Sequence, residues 1–374
     1  MPVRATKRGA ERSPLSGSAD VLICGASFAG LAVGRELAGS GADVLVLDRY
    51  EIGERQTSAC AVPTAWLEAL DLRDTILQTF GDLVIHTPSR TLRWDLPWSF
   101  STFDYRRLCA ALWDACGAAR FETATVTGRS AGDAGDVVVH TDRGDLRAPL
   151  VVDALGWRRV LGAGKRPIQP PEATLSRGLE VHPAGSGADF ELWLDPRYVR
   201  QGYAWSFPAG DEVRVGVGSF EPRDHVRAPT VDLARDLGLP AEGFQGNWIP
   251  HRMREPVDAG VFFVGDSAGH CIPATAEGIR PAFHFGAACG RELGLVLDGR
   301  QARSQALERY AGFCDDRRYA YRGMLRAQRF VARANPHPLM TSVLEASGNP
   351  RFVHWAFNRY RDICPPPVTP ARAR

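Results

Sequence analysis

The stretch ADVLICGASFAGLAVGRELAGSGADVLVLDR, residues 19–49, decides the fold of this chain. It opens on a continuous apolar run, ADVLICG, the pattern of a strand buried on both faces of a parallel sheet. FAGLAVGRELAGSG carries a helix that stops at the Gly39–Gly41 cluster. ADVLVLD is a second buried strand, and it ends in an acid. Together they form a βαβ unit. Gly25, Ser27 and Gly30 fill the G-x-G-x-x-G positions, with Phe28 and Ala29 inside the turn. The first glycine permits the tight turn, the second position close backbone approach to a pyrophosphate, the third close helix–strand packing. Ser27 departs from glycine, but a small hydroxyl fits and can bond a phosphate oxygen. The helix N-terminus supplies N–H groups and partial positive charge. Asp48 stands where an acid accepts hydrogen bonds from a ribose diol.

A second segment, GVFFVGDSAGHCIPATAEGIRPAFHFG at residues 260–286, completes the argument. Its buried strand runs into a Gly265-Asp266 turn and a Pro/Gly loop. Asp266 is placed to accept from a ribityl hydroxyl. The loop through Pro273 and Gly278 brings backbone close to an isoalloxazine ring. The helix opening at Ile279 and Arg280 aims its positive end at the ring, and Pro281 suits a first helical turn. The two segments point to FAD held by both ends of the chain. The same residues, Gly265 to Gly269, also match the G-x-S-x-G elbow of serine hydrolases, with Ser267 as nucleophile and Asp315 and His337 as partners. An elbow passes directly into a helix, whereas here HCIPATAEGIRP intervenes. The hydrolase is therefore the remote alternative.

Composition bounds the rest. The 374 residues allow two domains or one large domain with an inserted sheet. A net charge of +2 points away from nucleic acid as the main partner. The eight cysteines show no C-x-x-C pair and no histidine cluster at zinc spacing, so no metal site is expected. They suit reduced thiols in a cytoplasmic protein. Residues 1–18 lack an apolar signal core, and no run is long enough to span a membrane. Peripheral membrane contact stays open.

The expected fold class is α/β with an α+β insert. A Rossmann-type FAD-binding domain with a mostly parallel sheet comprises residues 19–80, 100–165 and 256–300. An antiparallel substrate-binding sheet comprises 81–99 and 166–255, where short alternating segments such as GYAWSFP and EVRVGVGSF sit between Gly, Pro and Asp. A helical C-terminal region follows at 301–364, and 1–18 and 365–374 are expected as disordered tails. Residues 63–80 and 103–116 carry helical patterns.

With these motifs in place, the chain resembles the flavoprotein superfamily of para-hydroxybenzoate hydroxylase, geranylgeranyl reductases and flavin-dependent halogenases, over about residues 19–330. GASFAG with Asp48 looks like its ADP-binding fingerprint. VVDALGWRRVLG looks like its D-G motif, with Asp153 as the acid. GDSAGHCIPATAEGI is similar to its second FAD motif, and GYAWSFP to the substrate motif of reductases and halogenases. The resemblance implies dinucleotide contacts from Arg49, Arg55 and the backbone of Val126. It implies an arginine contact at the start of the 105–116 helix. Tyr105 stands at that position, with Arg106 and Arg107 just after it, and Arg107 is the candidate of the two. Cys60 falls near a cysteine that reductases place beside the flavin.

Members of this superfamily reduce FAD, usually with NAD(P)H, and then diverge. Reductases pass hydride from N5 to an activated alkene; hydroxylases form a C4a-hydroperoxide with O₂. Halogenases need a lysine about fifty residues past the fingerprint, and this chain has only Lys7 and Lys165. P-A-T-A-E-G-I and GYAWSFP are closer to the reductase form, although Ala276 replaces a common glycine. The expectation is an FAD-dependent oxidoreductase of the geranylgeranyl reductase-like branch, acting on a largely apolar, isoprenoid- or polyketide-like molecule. A monooxygenase is the alternative. His270, Cys60 and Tyr203 are the catalytic candidates. Tyr203, Trp205, Phe207, Trp193 and Trp248 are expected to line the substrate pocket.

Overall fold

The computed structural model describes residues 12–56, 58–163, 175–334 and 338–367. Lys7, Lys165 and His337 lie outside them. The βαβ unit forms as the sequence predicts. Val21–Cys24 and Val44–Asp48 pair in parallel, joined by the helix Phe28–Glu36. They lie inside a six-stranded sheet. Leu150–Asp153 and then Val261–Phe263 extend it on one side, Arg120–Thr123 on the other, and Val257–Asp258 closes the edge antiparallel. The second segment therefore returns to the sheet that the first begins.

The helix Ile279–Leu297 lies directly on Phe28–Glu36. A Cβ at Gly286 would stand 2.6 Å from the Ala29 carbonyl oxygen, and one at Gly290 would stand 2.6 Å from Glu36 Cβ. Two glycines at this spacing let the helix backbones approach closely enough to stack both N-termini at one end of the sheet.

An eight-stranded sheet stands beside this layer. Its order is Gln245–Pro250, Leu175–Val181, Glu212–Ser219, Gly202–Ala209, Glu191–Trp193, Ile76–His86, Thr91–Phe103, Ala61–Pro63. It is antiparallel except where Glu191–Trp193 runs parallel to Ile76–His86. Several expected boundaries shift. The helical pattern at 63–80 yields a helix only at Thr64–Ala69. From Ile76 the chain is a long strand whose register slips between Phe80 and Asp82, and that slip obscures the alternation. The sheet also takes residues 61–63, 76–80 and 100–103, which the sequence reading assigned to the FAD-binding segments.

Of the tail expected at 1–18, residues 1–11 lie outside the described residues and the rest is tied to the fold. Gly17–Ser18 pairs with Gly144–Ala148 in a four-stranded sheet, and the Leu15 amide donates to the Arg143 carbonyl at 2.8 Å. At the other end, the Pro365 carbonyl accepts from His284 Nδ1 at 3.1 Å. Helices Arg303–Asp315, Arg318–Ala334, Pro338–Ser347 and Pro350–Ile363 make up the C-terminal region. Among the described residues no helix is long and apolar enough to cross a membrane.

Candidate functional site

The strand-to-helix turn after Cys24 forms a cradle. Gly25 has φ +117°, and a Cβ there would lie 2.3 Å from the Ala154 carbonyl oxygen. A Cβ at Gly30 would lie 1.8 Å from the Gly25 carbonyl oxygen. Neither position admits a side chain. The helix that follows has no acid in its first turn and no side-chain cap. Its free N–H groups open toward a cavity lined by Ala26, Ser27, Phe28 and Ala29. Ser27 Oγ lies 3.3 Å from Tyr105 Oη. The half-buried Asp48 carboxylate accepts from the amides of Ala26 at 2.8 Å and Tyr50 at 3.0 Å. Burial pushes its pKa above the ordinary value, against the pull of those two amides. Arg49 and Arg55 pack their guanidinium groups over the Tyr50 ring at 4.8 and 5.2 Å.

The second acid turn faces the same cavity. Burial raises the Asp266 carboxyl to about 6, partly offset by Arg254. Ser267 is fully buried, and its hydroxyl donates to Asp153 Oδ1 at 2.6 Å and to the Gly156 carbonyl at 3.0 Å. The Asp153 carboxylate also accepts from the amides of Leu155 and Leu161. This brace ties the D-G motif to the second FAD-type motif. It also opposes the hydrolase reading: among the described residues no histidine bonds Ser267, and Asp315 is paired with Arg318 at 2.5 Å on the surface. Beyond the turn, Ala274 and Ala276 hold φ of +69° and +52°. Ala276 thus sits in the left-handed conformation that favours glycine. Gly278 precedes the helix Ile279–Leu297, which again starts with no acid and no side-chain cap.

One cavity of about 830 Å³ joins these elements to the eight-stranded sheet, within the range of cofactor and ligand sites. The sheet supplies an aromatic floor. Phe207 stacks on Phe190 at 3.9 Å, and Phe190 on Phe100 at 5.3 Å. The Trp205 indole lies over glycines: a Cβ at Gly216 would fall 2.3 Å from its Cζ2, and one at Gly218 3.4 Å from its Cζ3. Tyr203 Oη donates to the Thr275 carbonyl at 2.5 Å, which joins floor to loop. A ligand with a polyanionic end and a flat ring fits this donor set. Two unfilled helix N-termini and a glycine cradle face one end, and the aromatic floor lies beside the other.

The chain is similar to digeranylgeranylglycerophospholipid reductases. It is 24% identical to reductase 3 of Methanosphaera stadtmanae over 79% of this chain and 82% of the relative. It is 26% identical to reductase 1 of Methanopyrus kandleri over 87% and 93%. Among solved structures, a geranylgeranyl bacteriochlorophyll reductase-like protein of Thermoplasma acidophilum superposes with a TM-score of 0.76 at 18% identity, covering 85% of this chain and 88% of that one. The chain shares the fold of that structure. The flavin-dependent brominase Bmp2 shares it, with a TM-score of 0.62 at 16% identity over 92% and 99%. No family model matches the sequence.

Most of the expected site residues converge on the cavity. Ser27, Phe28, Ala29, Asp48, Arg49, Arg55, Val126, Gly265, Asp266, Gly278 and Ile279 line the cavity, as do Cys60, Tyr203, Trp205, Phe207 and Trp248. Gly25, Gly30 and Asp153 shape it from behind. Four expectations are corrected. Arg107 points to solvent beside Asp104, and Tyr105 lines the cavity in its place. Pro273 is buried behind the loop rather than lining it. Trp193 stacks on His86 at 4.6 Å and packs with Val215 and Val217 on the opposite face of the sheet. The strand alternation puts it there: its register partner is Ala204, between the cavity-facing Tyr203 and Trp205. His270 is buried outside the cavity, stacked on Phe285 at 3.7 Å with Cys314 Sγ 3.7 Å from its Nε2. Burial drives its pKa well below the ordinary value.

Other residues escaped the sequence reading. Fully buried Arg214 donates to the carbonyls of Ala59 and Phe103 at 2.8 and 3.1 Å and pairs with Glu212 at 2.9 Å, which pins Cys60 against the sheet. A lone arginine at an inward position of EVRVGVGS was the available signal. Arg280 bonds both oxygens of Glu277 and the Arg361 carbonyl, closing the loop against the last helix. Tyr360 of that helix lines the cavity. That pairing joins residues far apart in sequence and leaves no local pattern.

Proposed function

We propose that the protein is an FAD-dependent reductase of a largely apolar, isoprenoid-like small molecule, with NAD(P)H as the reductant. The single continuous cavity, running from the glycine cradle to the aromatic floor, carries this reading. FAD bound there supplies hydride transfer to and from its ring. The amides at the start of Phe28–Glu36 and Ile279–Leu297 bind and orient it through their N–H groups. Asp48 keeps lone pairs free for a ribose diol, and Asp266 for a ribityl hydroxyl. Phe190, Phe207 and Trp205 exclude water from the substrate end and hold an apolar chain by contact area. Cys60 and Tyr203 are the catalytic candidates that line this space. Burial pushes both their pKa values up, so each keeps its proton at neutral pH, Cys60 at Sγ and Tyr203 at the Oη that bonds the Thr275 carbonyl.

The purified protein tests this directly. A flavin absorption band, present or restored by added FAD, followed by anaerobic bleaching with NADH or NADPH, is the expected result. Absence of the band after FAD addition overturns the reading. The monooxygenase alternative is favoured by the fold shared with the OxyS anhydrotetracycline hydroxylase of Streptomyces rimosus, at a TM-score of 0.63 and 19% identity over 91% of this chain and 75% of that one. Substrate-dependent O₂ uptake with oxygen in the product supports it over reduction.

Two further readings belong here. Tyr319, Phe330, Phe352 and Trp355 are exposed on the C-terminal helices, and Arg318–Ala334 carries arginines with no acid. These support peripheral contact with an anionic membrane. Co-sedimentation with phosphatidylserine vesicles, lost at high salt, checks it. Eight free, buried cysteines support a cytoplasmic location.

A further inference from the structure

Two buried polar atoms on the cavity side lack a partner among the described residues: Trp205 Nε1 and Glu180 Oε2. Their residues both line the cavity, and Glu180 is only 2% exposed. Buried polar groups are almost always bonded, so each orphan calls for an occupant.

These two orphans sit across one position from each other. Gly216 is the register partner of Trp205 on one neighbouring strand and of Glu180 on the other. A Cβ at Gly216 would stand 2.5 Å from Trp205 Cε2, the carbon bonded to Nε1, and 2.8 Å from Glu180 Cβ. Gly216 has no side chain, and the Trp205 ring lies over it on the side of Glu180. The second Glu180 oxygen is held by His182 Nε2 at 3.1 Å and by Gln245 Nε2 at 3.5 Å. That fixes the carboxylate and leaves Oε2 over. Buried Arg214, two residues from Gly216 on the same strand, is already paired with Glu212. A donor that cannot accept and a carboxylate oxygen that accepts thus stand on the two strands either side of Gly216, both at the cavity wall.

We propose that this pair is a subsite for a hydroxyl group of the substrate. The hydroxyl oxygen accepts from Trp205 Nε1–H, and its proton is donated to Glu180 Oε2. An alcohol satisfies both atoms with one group. An ether can only accept, and a hydrocarbon leaves both unpaired. The subsite deepens the function proposed above and rests on it: the molecule bound is apolar along most of its length and carries an alcohol. Tyr203, which bonds the loop of the second acid turn, is two residues along the strand from Trp205, a step of about 7 Å. The alcohol is therefore seated away from the loop.

The experiment titrates FAD-loaded protein with geranylgeraniol and with its methyl ether, following the flavin spectrum and tryptophan fluorescence. Wild type is expected to bind the alcohol about tenfold or more tightly than the ether, since a bond to a charged acceptor is lost. Trp205→Phe and Glu180→Gln are each expected to shrink that ratio severalfold while FAD content stays at the wild-type level. Should Glu180→Gln fail to fold, Trp205→Phe carries the comparison alone. Equal affinity of wild type for the two ligands overturns the subsite and leaves the apolar site standing, as does a ratio unchanged in the variants. If neither ligand binds FAD-loaded wild type, the isoprenoid reading falls and the subsite with it.

Discussion

Ser267 donates a 2.6 Å hydrogen bond to the buried carboxylate of Asp153, joining two strands that are neighbours in space and more than a hundred residues apart in sequence. The bond fixes the second acid turn relative to the sheet, and so fixes Asp266 relative to the first glycine turn. Ser267→Ala leaves Asp153 with two amide donors and a missing third. A bond to a buried charge is worth about 1.5–3 kcal/mol. The variant should lose that much stability in urea denaturation. It should keep bound FAD under native conditions, because the residues lining the cavity are unchanged.

Asp266 sets a pH dependence. Its folded pKa, about 6, lies above the ordinary 3.8 because of burial. The folded protein without cofactor therefore binds this proton more tightly than the unfolded chain does. The stabilising contribution is full below pH 3.8 and is lost as pH rises through about 6. Asp266→Asn, which carries no charge at any pH, removes that loss. In the absence of FAD the variant should melt higher than wild type at pH 8, and the gap should close toward pH 4. Asp266→Ala should bind FAD more weakly than wild type in equilibrium dialysis.

Gly216→Ala would force a methyl group to within 2.3 Å of the Trp205 ring. The strand cannot yield, because both its edges are paired, so the indole must move. Expected is a substrate KM raised about tenfold or more with FAD content unchanged. Steady-state kinetics and the flavin spectrum together check this.

Arg280 is buried and bonds both oxygens of Glu277 and the Arg361 carbonyl. Arg280→Met would leave Glu277 charged and short of its partner. Breaking one side of a buried pair costs about 3–5 kcal/mol. The last helix should release first, visible as new protease cleavage within residues 350–363 before global unfolding. Arg280→Lys keeps the charge but loses the fork, and should fall between the two.

The βαβ unit was legible because its information is local. A glycine turn, a buried-strand pattern and a terminal acid lie within about thirty residues, and each tolerates only one arrangement. A Cβ at Gly25 or Gly30 collides with backbone, so those positions announce themselves in any sequence that folds this way. GYAWSFP was legible as a strand, but the face each aromatic takes was not. Tyr203, Trp205 and Phe207 alternate into the cavity, whereas Trp193, on the adjacent short strand, packs on the far side of the sheet with Val215 and Val217. One residue of register decides between the two faces. His270 illustrates the same limit. Adjacent in sequence to the acid turn, it turns back into the core against Phe285.

From the amino-acid order alone came the glycine turn, the acid that ends its second strand and the antiparallel insert, since backbone sterics and side-chain period act over a few residues. Tertiary structure decided which groups share the cavity. The Asp153–Ser267 brace, the Arg280 clamp and the Trp205–Glu180 pair each join segments separated by tens of residues or more. Desolvation and register, which no local pattern encodes, set what those pairs can do.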